Sequence, residues 1–145
     1  MLNLKGITTD AIISQWEDCE WDKVVAIDAR GFIFGSVLAH HFGKPLSLAR
    51  KKGKLPGDTI STTYQLEYGE DILEMDKISI NAQDRCLLVD DLIATGGTAK
   101  AACELIEELG GTVAGCAFII ELPELNGREF LGNYDVRSLV SFEGH

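Results

Sequence analysis

Positive charge is scarce in this chain: 13 lysines and arginines stand against 23 acidic residues in 145, a formal net charge of −10. A general binder of nucleic acid or of anionic membrane needs a broad cationic footprint, so neither is expected as a partner. Cysteine is also sparse. Cys19, Cys86, Cys103 and Cys116 lie far apart, without a Cys-x-x-Cys pair and without histidines gathered near them. That spacing argues against zinc and against a disulfide framework, leaving small core residues in a reducing compartment. The N-terminus lacks a basic segment followed by an apolar run, and no apolar stretch is long enough to span a bilayer. The expected location is therefore the cytoplasm. Repeats, low-complexity tracts and linkers are missing as well.

What is present reads as one α/β domain over residues 1–145, with an ordinary 46% hydrophobic and 25% charged content. Thr8, Thr9 and Asp10 are N-cap candidates for a first helix whose Ile12, Ile13 and Trp16 share a face. Lys23–Asp28 reads as a strand. Gly31–Phe42 reads as a helix with Phe34, Val37, Leu38 and His41 at helical spacing, closed by Gly43. Pro45–Arg50 is a second strand and 51–58 a loop, and 60–68 with 71–75 form a hairpin around Gly69. The apolar run Cys86–Val89 is a buried strand, followed by a helix over Thr98–Leu109 and a strand over Thr112–Glu121. Asn126–Leu131 forms a short helix and Ser138–Phe142 a last strand. Strands alternating with helices predict a mainly parallel, doubly wound sheet flanked by helices.

The chemistry concentrates at two strand-to-helix junctions. After the strand at 86–89 come two carboxylates, Asp90 and Asp91, then Ala94-Thr-Gly-Gly-Thr98 leading into a helix. Backbone N–H groups at such a helix start can converge on a phosphate, and Gly96 and Gly97 allow close approach. The twin acids at the strand's end can accept hydrogen bonds from vicinal ribose hydroxyls. This layout suits a phosphorylated sugar. Asp28-Ala-Arg-Gly31 repeats the arrangement with a guanidinium, a cradle for pyrophosphate. Arg50, Lys51, Lys52 and Lys54 add a cationic loop to an otherwise acidic body, suited to a small, highly anionic ligand.

Residues 86–98 resemble the phosphoribosyl pyrophosphate (PRPP) signature of the type I phosphoribosyltransferases. Ile27–Gly35, Arg50-Lys-Lys-Gly-Lys-Leu-Pro-Gly57, Tyr64-Gln-Leu-Glu-Tyr-Gly69, and Ile120-Glu-Leu followed by Gly127-Arg128 narrow the resemblance to the adenine-specific family. It covers nearly the whole chain from Val24 onward. The resemblance implies the type I phosphoribosyltransferase fold with a flexible hairpin over the site. It implies purine salvage, in which adenine and PRPP give AMP and pyrophosphate with Mg²⁺ held mainly by PRPP. Ala94, Thr95, Gly96, Gly97 and Thr98 would hold the 5′-phosphate, and Asp90 and Asp91 the ribose hydroxyls. Asp28, Ala29, Arg30, Lys51 and Lys54 would face the pyrophosphate, on a loop that in this family often carries a non-proline cis peptide after Asp28. Arg30 and Glu67 join the two aspartates as catalytic residues, with Glu67 handling the proton. Lys52 and Tyr68 belong to the flexible loop, and Leu122 packs on the purine.

A homodimer through Phe32–Gly35 is implied too. Glu121 and Glu124, with no lysine or arginine from Ile119 to Asn126, suit an amino purine. One departure stands out: residues 1–22 hold a single helix region, shorter than the family's, so a reduced hood over the base is expected. A natural short form, a truncated transferase and a non-catalytic PRPP or nucleotide binder all fit that departure. A transferase for another purine fits it as well.

Overall fold

The computed structural model describes residues 6–66 and 68–143. In chain order the elements are α1 (Gly6–Gln15), β1 (Lys23–Ile27), α2 (Gly31–Phe42), β2 (Leu46–Lys51), β3 (Thr59–Gln65) and β4 (Glu70–Asp76). They continue with β5 (Arg85–Ile93), α3 (Gly97–Glu108), β6 (Thr112–Glu121), a 3-10 turn (Pro123–Leu125), α4 (Gly127–Leu131) and β7 (Val136–Ser141). One seven-stranded sheet has the order β3-β4-β2-β1-β5-β6-β7. The run β2-β1-β5-β6-β7 is parallel. β3 and β4 form the expected hairpin, joined to β2 in antiparallel sense.

The two-residue period of the strands divides the core. Val24 and Ala26, Leu87 and Val89, and Ala117 and Ile119 face α1 and α2, meeting Ile12, Trp16, Phe34, Leu38 and Ala39. Their neighbours Val25 and Ile27, Cys86 and Leu88, and Cys116 and Phe118 face the opposite side. There they pack on Ala101, Ala102, Leu105 and Ile106 of α3. Both sheet faces are covered, as parallel strands require. All four cysteines are free, three of them buried, with Cys103 and Cys116 sulfurs 3.9 Å apart.

Several boundaries differ from the sequence reading. α1 already runs from Gly6, so Thr8, Thr9 and Asp10 lie inside the helix rather than capping it. β5 does not end at Val89. Asp90, Leu92 and Ile93 continue the register against Phe118, Ile120 and Glu121, because a carboxylate leaves the sheet by its side chain while its backbone stays paired. On α2 the buried stripe is Phe34, Leu38 and Ala39, with His41 exposed. Gly43 ends that helix in the left-handed region at φ 65°, as read.

α1 is tied to the far strand. Trp16 lies under the Arg137 guanidinium at 4.3 Å, and Arg137 also donates to the Gln15 carbonyl and to Asp18 at 2.9 Å. Opposite, the Trp16 ring presses on β6 at Gly115, where a Cβ would lie 2.4 Å from the ring. Gly115→Ala is therefore expected to cost about 1–3 kcal/mol through overpacking, read as a lower urea midpoint with an unchanged slope.

Candidate active site

From β1 the chain winds outward to β2, and from β5 it winds the other way to β6 and β7. The reversal opens a crevice between the C-terminal ends of β1 and β5, the position where open α/β sheets bind ligands. Two loops meet there. Residues 28–30 follow β1 and residues 94–96 follow β5, and Arg30 Nε reaches Asp91 Oδ2 at 2.6 Å. α2 can start this close to β5 because residue 31 is glycine: a Cβ there would lie 2.7 Å from the Val89 carbonyl oxygen. The peptide between Asp28 and Ala29 is cis.

A cavity of about 220 Å³ is lined by Arg30, Asp90, Asp91 and the whole of 94–98. Gly96 precedes α3 at φ 89° with no side-chain cap, so a helix N-terminus opens onto that cavity. A neighbouring cavity of about 370 Å³ shares Arg30, Asp90, Asp91 and Thr98, and adds Asp28, Ala29, Lys51 and Tyr64. The structure thus gathers Asp28, Ala29, Arg30, Lys51, Asp90, Asp91 and 94–98 in one crevice. The Asp28 carboxylate points to the basic segment, accepting from Arg50 Nε at 3.2 Å and from the Lys51 amide at 3.5 Å. Its part is to hold that segment at the crevice.

Charge is unevenly distributed between the twin acids. Burial, reinforced by the hydrogen-bonding carboxyl of Asp91, pushes Asp90 well above the usual carboxylate range. Asp91 is paired with Arg30, whose own side chain is 74% exposed and so open to an incoming anion. Among the described residues no three acids, histidines or cysteines gather as a metal site.

Other predicted residues lie apart. Lys52 and Lys54 are exposed and line neither cavity, and Tyr68 is 87% exposed. Leu122 lines neither cavity; its amide donates to the Ile93 carbonyl at 3.0 Å. Leu125 and Phe130 instead line a third cavity of about 540 Å³ with Tyr64, Thr95, Gly97 and Lys100. Glu67 lies outside the described residues. Glu121 cannot read a base amine, because both its oxygens are held by Arg128 at 2.7 and 3.1 Å.

Tyr64 has no role that its sequence motif assigns. It is buried, it lines the 540 and 370 Å³ cavities, and its hydroxyl lies towards Thr98 and Asp71. Asp71 in turn faces Lys51 Nζ at 3.7 Å. A hydroxylated aromatic in an otherwise threonine-rich strand was the available signal.

Fold and crevice define an α/β protein with two anion-suited loops meeting at one edge of the sheet, and comparison with known proteins gives its family. Residues 7–142 match the family described as the phosphoribosyl transferase domain. The adenine phosphoribosyltransferase of Cereibacter sphaeroides is 49% identical over 140 residues, covering 95% of this chain and 79% of the relative. The crystal structure of the Thermoanaerobacter pseudethanolicus adenine phosphoribosyltransferase superposes with a TM-score of 0.91 at 43% identity, covering 93% of this chain and 78% of that one. The Saccharomyces cerevisiae enzyme, complexed with an imino-altritol bisphosphate and adenine, gives 0.85 at 37% identity, covering 94% and 81%. The chain belongs to the phosphoribosyltransferase family, and within it to the adenine phosphoribosyltransferases.

The raised Asp90 has a consequence for stability. A carboxyl whose folded-state value lies above its unfolded value of 3.8 binds its proton more tightly when folded. Its stabilising contribution is complete below that value and is lost as pH rises toward the folded-state value. Asp90→Asn is expected to remove this decline, so urea midpoints of variant and wild type diverge, in the variant's favour, as pH rises from about 4.

Proposed function

We propose that this chain transfers the 5-phosphoribosyl group of PRPP to adenine, yielding AMP and pyrophosphate. The observation that carries the reading is the 2.6 Å contact between Arg30 and Asp91, which puts both anion loops on one crevice. In this reading the amides of Ala94 to Thr98 hold the 5′-phosphate, and Asp90 and Asp91 receive the ribose hydroxyls. Arg30, with Lys51 and Lys54 from the basic segment, faces the diphosphate. As the C1′–oxygen bond breaks, the ribose becomes cationic and the leaving diphosphate gains charge. Positive side chains already fixed beside it stabilise that charge without reorganising.

An adenine ring nitrogen attacks C1′ from the face opposite the diphosphate, and its proton passes to Glu67. General base assistance of this kind contributes roughly 10²–10⁴-fold. Leu122 packs on the base in this reading, and the β3–β4 hairpin, with Lys52 and Tyr68, closes over the substrates to exclude competing water. The two adjacent carboxylates fit Mg²⁺, an ion that commonly takes one or two carboxylates and draws its remaining oxygens from substrate phosphates and water. Asp90 and Asp91 would stand nearest to it, and when bound it neutralises part of the diphosphate charge.

The whole chain is taken as a single domain, supported by one continuous sheet. A homodimer through Phe32–Gly35 is part of the reading, supported by exposed Ile33 and Leu46 beside that segment. Cytoplasmic residence is also part of it, supported by four free cysteines. No helix among the described residues is long and apolar enough to cross a membrane.

Pyrophosphate release from Mg²⁺ and PRPP, followed with adenine, guanine or hypoxanthine, tests the activity; turnover with adenine is the expected result, and PRPP binding without it would overturn the reading. Asp90→Asn with Asp91→Asn should lower turnover by more than about 10²-fold, and near-normal activity would reject the ribose role. Glu67→Gln should lower kcat more than it weakens PRPP binding.

A further inference from the structure

The connection leaving β6 is pinned at both ends by side chains that line none of the three cavities. Glu121, the last residue of β6, is met by a guanidinium fork: Arg128 Nη2 donates to Oε1 at 2.7 Å and Nε to Oε2 at 3.1 Å. Ser138 Oγ donates to the same Oε1 at 2.8 Å, and Arg128 Nη1 donates to the Val136 carbonyl. Each of the three guanidinium nitrogens donates once inside the protein, while the side chain as a whole is 48% exposed. The Glu121 side chain is only 10% exposed, and Arg128 and Ser138 together hold its carboxyl below the usual range.

The segment held by this pair lies directly behind the anion loop. The Leu122 amide donates to the Ile93 carbonyl at 3.0 Å. At Gly127 a Cβ would lie 2.5 Å from the Ala94 carbonyl oxygen, and at Gly96 a Cβ would lie 2.9 Å from the Gly127 carbonyl oxygen. The two backbones pack closely here, and the Ile93 side chain lies beside them, 2.7 Å from where a Gly127 Cβ would be. Any shift of the 122–127 segment therefore has to move residues 94–96.

We propose that Glu121 and Arg128 are positioning residues for the sugar phosphate: their paired hydrogen bonds seat Gly127 under the loop and so set the depth of the 94–98 cradle. The inference rests on reading that cradle as the 5′-phosphate site. A planar, two-point fork fixes orientation as well as distance, which a lysine at the same place does not.

The test measures ribose 5-phosphate binding by calorimetry together with steady-state kinetics. Arg128→Lys and Glu121→Gln are each expected to weaken ribose 5-phosphate by about tenfold and raise the PRPP KM by a similar factor. The adenine KM and kcat should stay within about threefold, since the contact made to the phosphate is one shared by ground and transition states. Gly127→Ala, which leaves the ion pair intact, should move the same two quantities. The double variant Arg128→Lys with Glu121→Gln should lose no more affinity than the worse single, because the two act as one unit. Unchanged ribose 5-phosphate affinity in folded Arg128→Lys and Gly127→Ala would overturn the proposal. So would a uniform fall in kcat and in affinity for both substrates that merely tracks lower thermal stability. A wild-type protein that does not bind ribose 5-phosphate at all would remove the phosphate reading itself, which separates the two failures.

Discussion

Parallel pairing between β1 and β5 is the constraint on which the site depends. Val24, Val25 and Ala26 of β1 run beside Leu87, Leu88 and Val89 of β5, and both strands are buried on each face. Because they point the same way, the segments that follow them emerge at the same edge, where one carries Arg30 and the other Asp91. Hydrophobic burial drives the pairing, and the electrostatic contact is its by-product. An exposed guanidinium in water contributes little to folding; here its value lies in being held where an anion arrives. The same sheet partly buries Asp90 and so alters its acidity.

Behind this edge the protein uses a different kind of support. The anion loop contains no bulky side chain that could brace it, and Gly96 and Gly97 leave it intrinsically loose. Its rigidity comes from backbone packed on backbone, with Gly127 against Ala94, and from the ion pair that fixes Gly127 in turn. Tyr64 supplies a second brace from the hairpin side through Thr98. A floppy catalytic loop is thus made stiff by neighbours that never touch the ligand, a recurrent way of preorganising a binding site.

Much of this was legible before any coordinates. The apolar runs within Lys23–Ile27 and Cys86–Val89, and the glycine-flanked helices after each, define the two junctions and hence the crevice. The boundaries that went astray did so for local reasons. Asp90 and Asp91 look like a strand end because their side chains are polar, yet their backbones continue to pair. Thr8 to Asp10 look like a cap because such residues favour one, and helix propensity alone does not show that the first turn lies further back. Side-chain partnerships across the sheet were the harder part. Glu121 read as a candidate contact for an amino purine, but the guanidinium of Arg128 seven residues on claims both of its oxygens. Leu125 and Phe130, which line the larger neighbouring cavity, have no motif to mark them. Tyr64 carried no spacing signal that links a hairpin strand to a helix start. Such pairings depend on how elements close in space, and one-dimensional patterns do not contain that information.

The attachment of the hairpin gives the molecule a built-in seam. Among the described residues β3 is an edge strand paired with β4, and β4 meets β2 through the short ladder Arg50/Glu74 and Lys51/Leu73, extended by the Lys52 amide on the Ile72 carbonyl. Tyr64, Leu73 and Met75 of the hairpin are nonetheless buried in the core beneath α3. Amide protons of β3, the edge strand, should therefore sit on a lower rung of exchange protection than those of the central β1 and β5. Tyr64 is the latch across that seam, joining the hairpin to the first turn of α3.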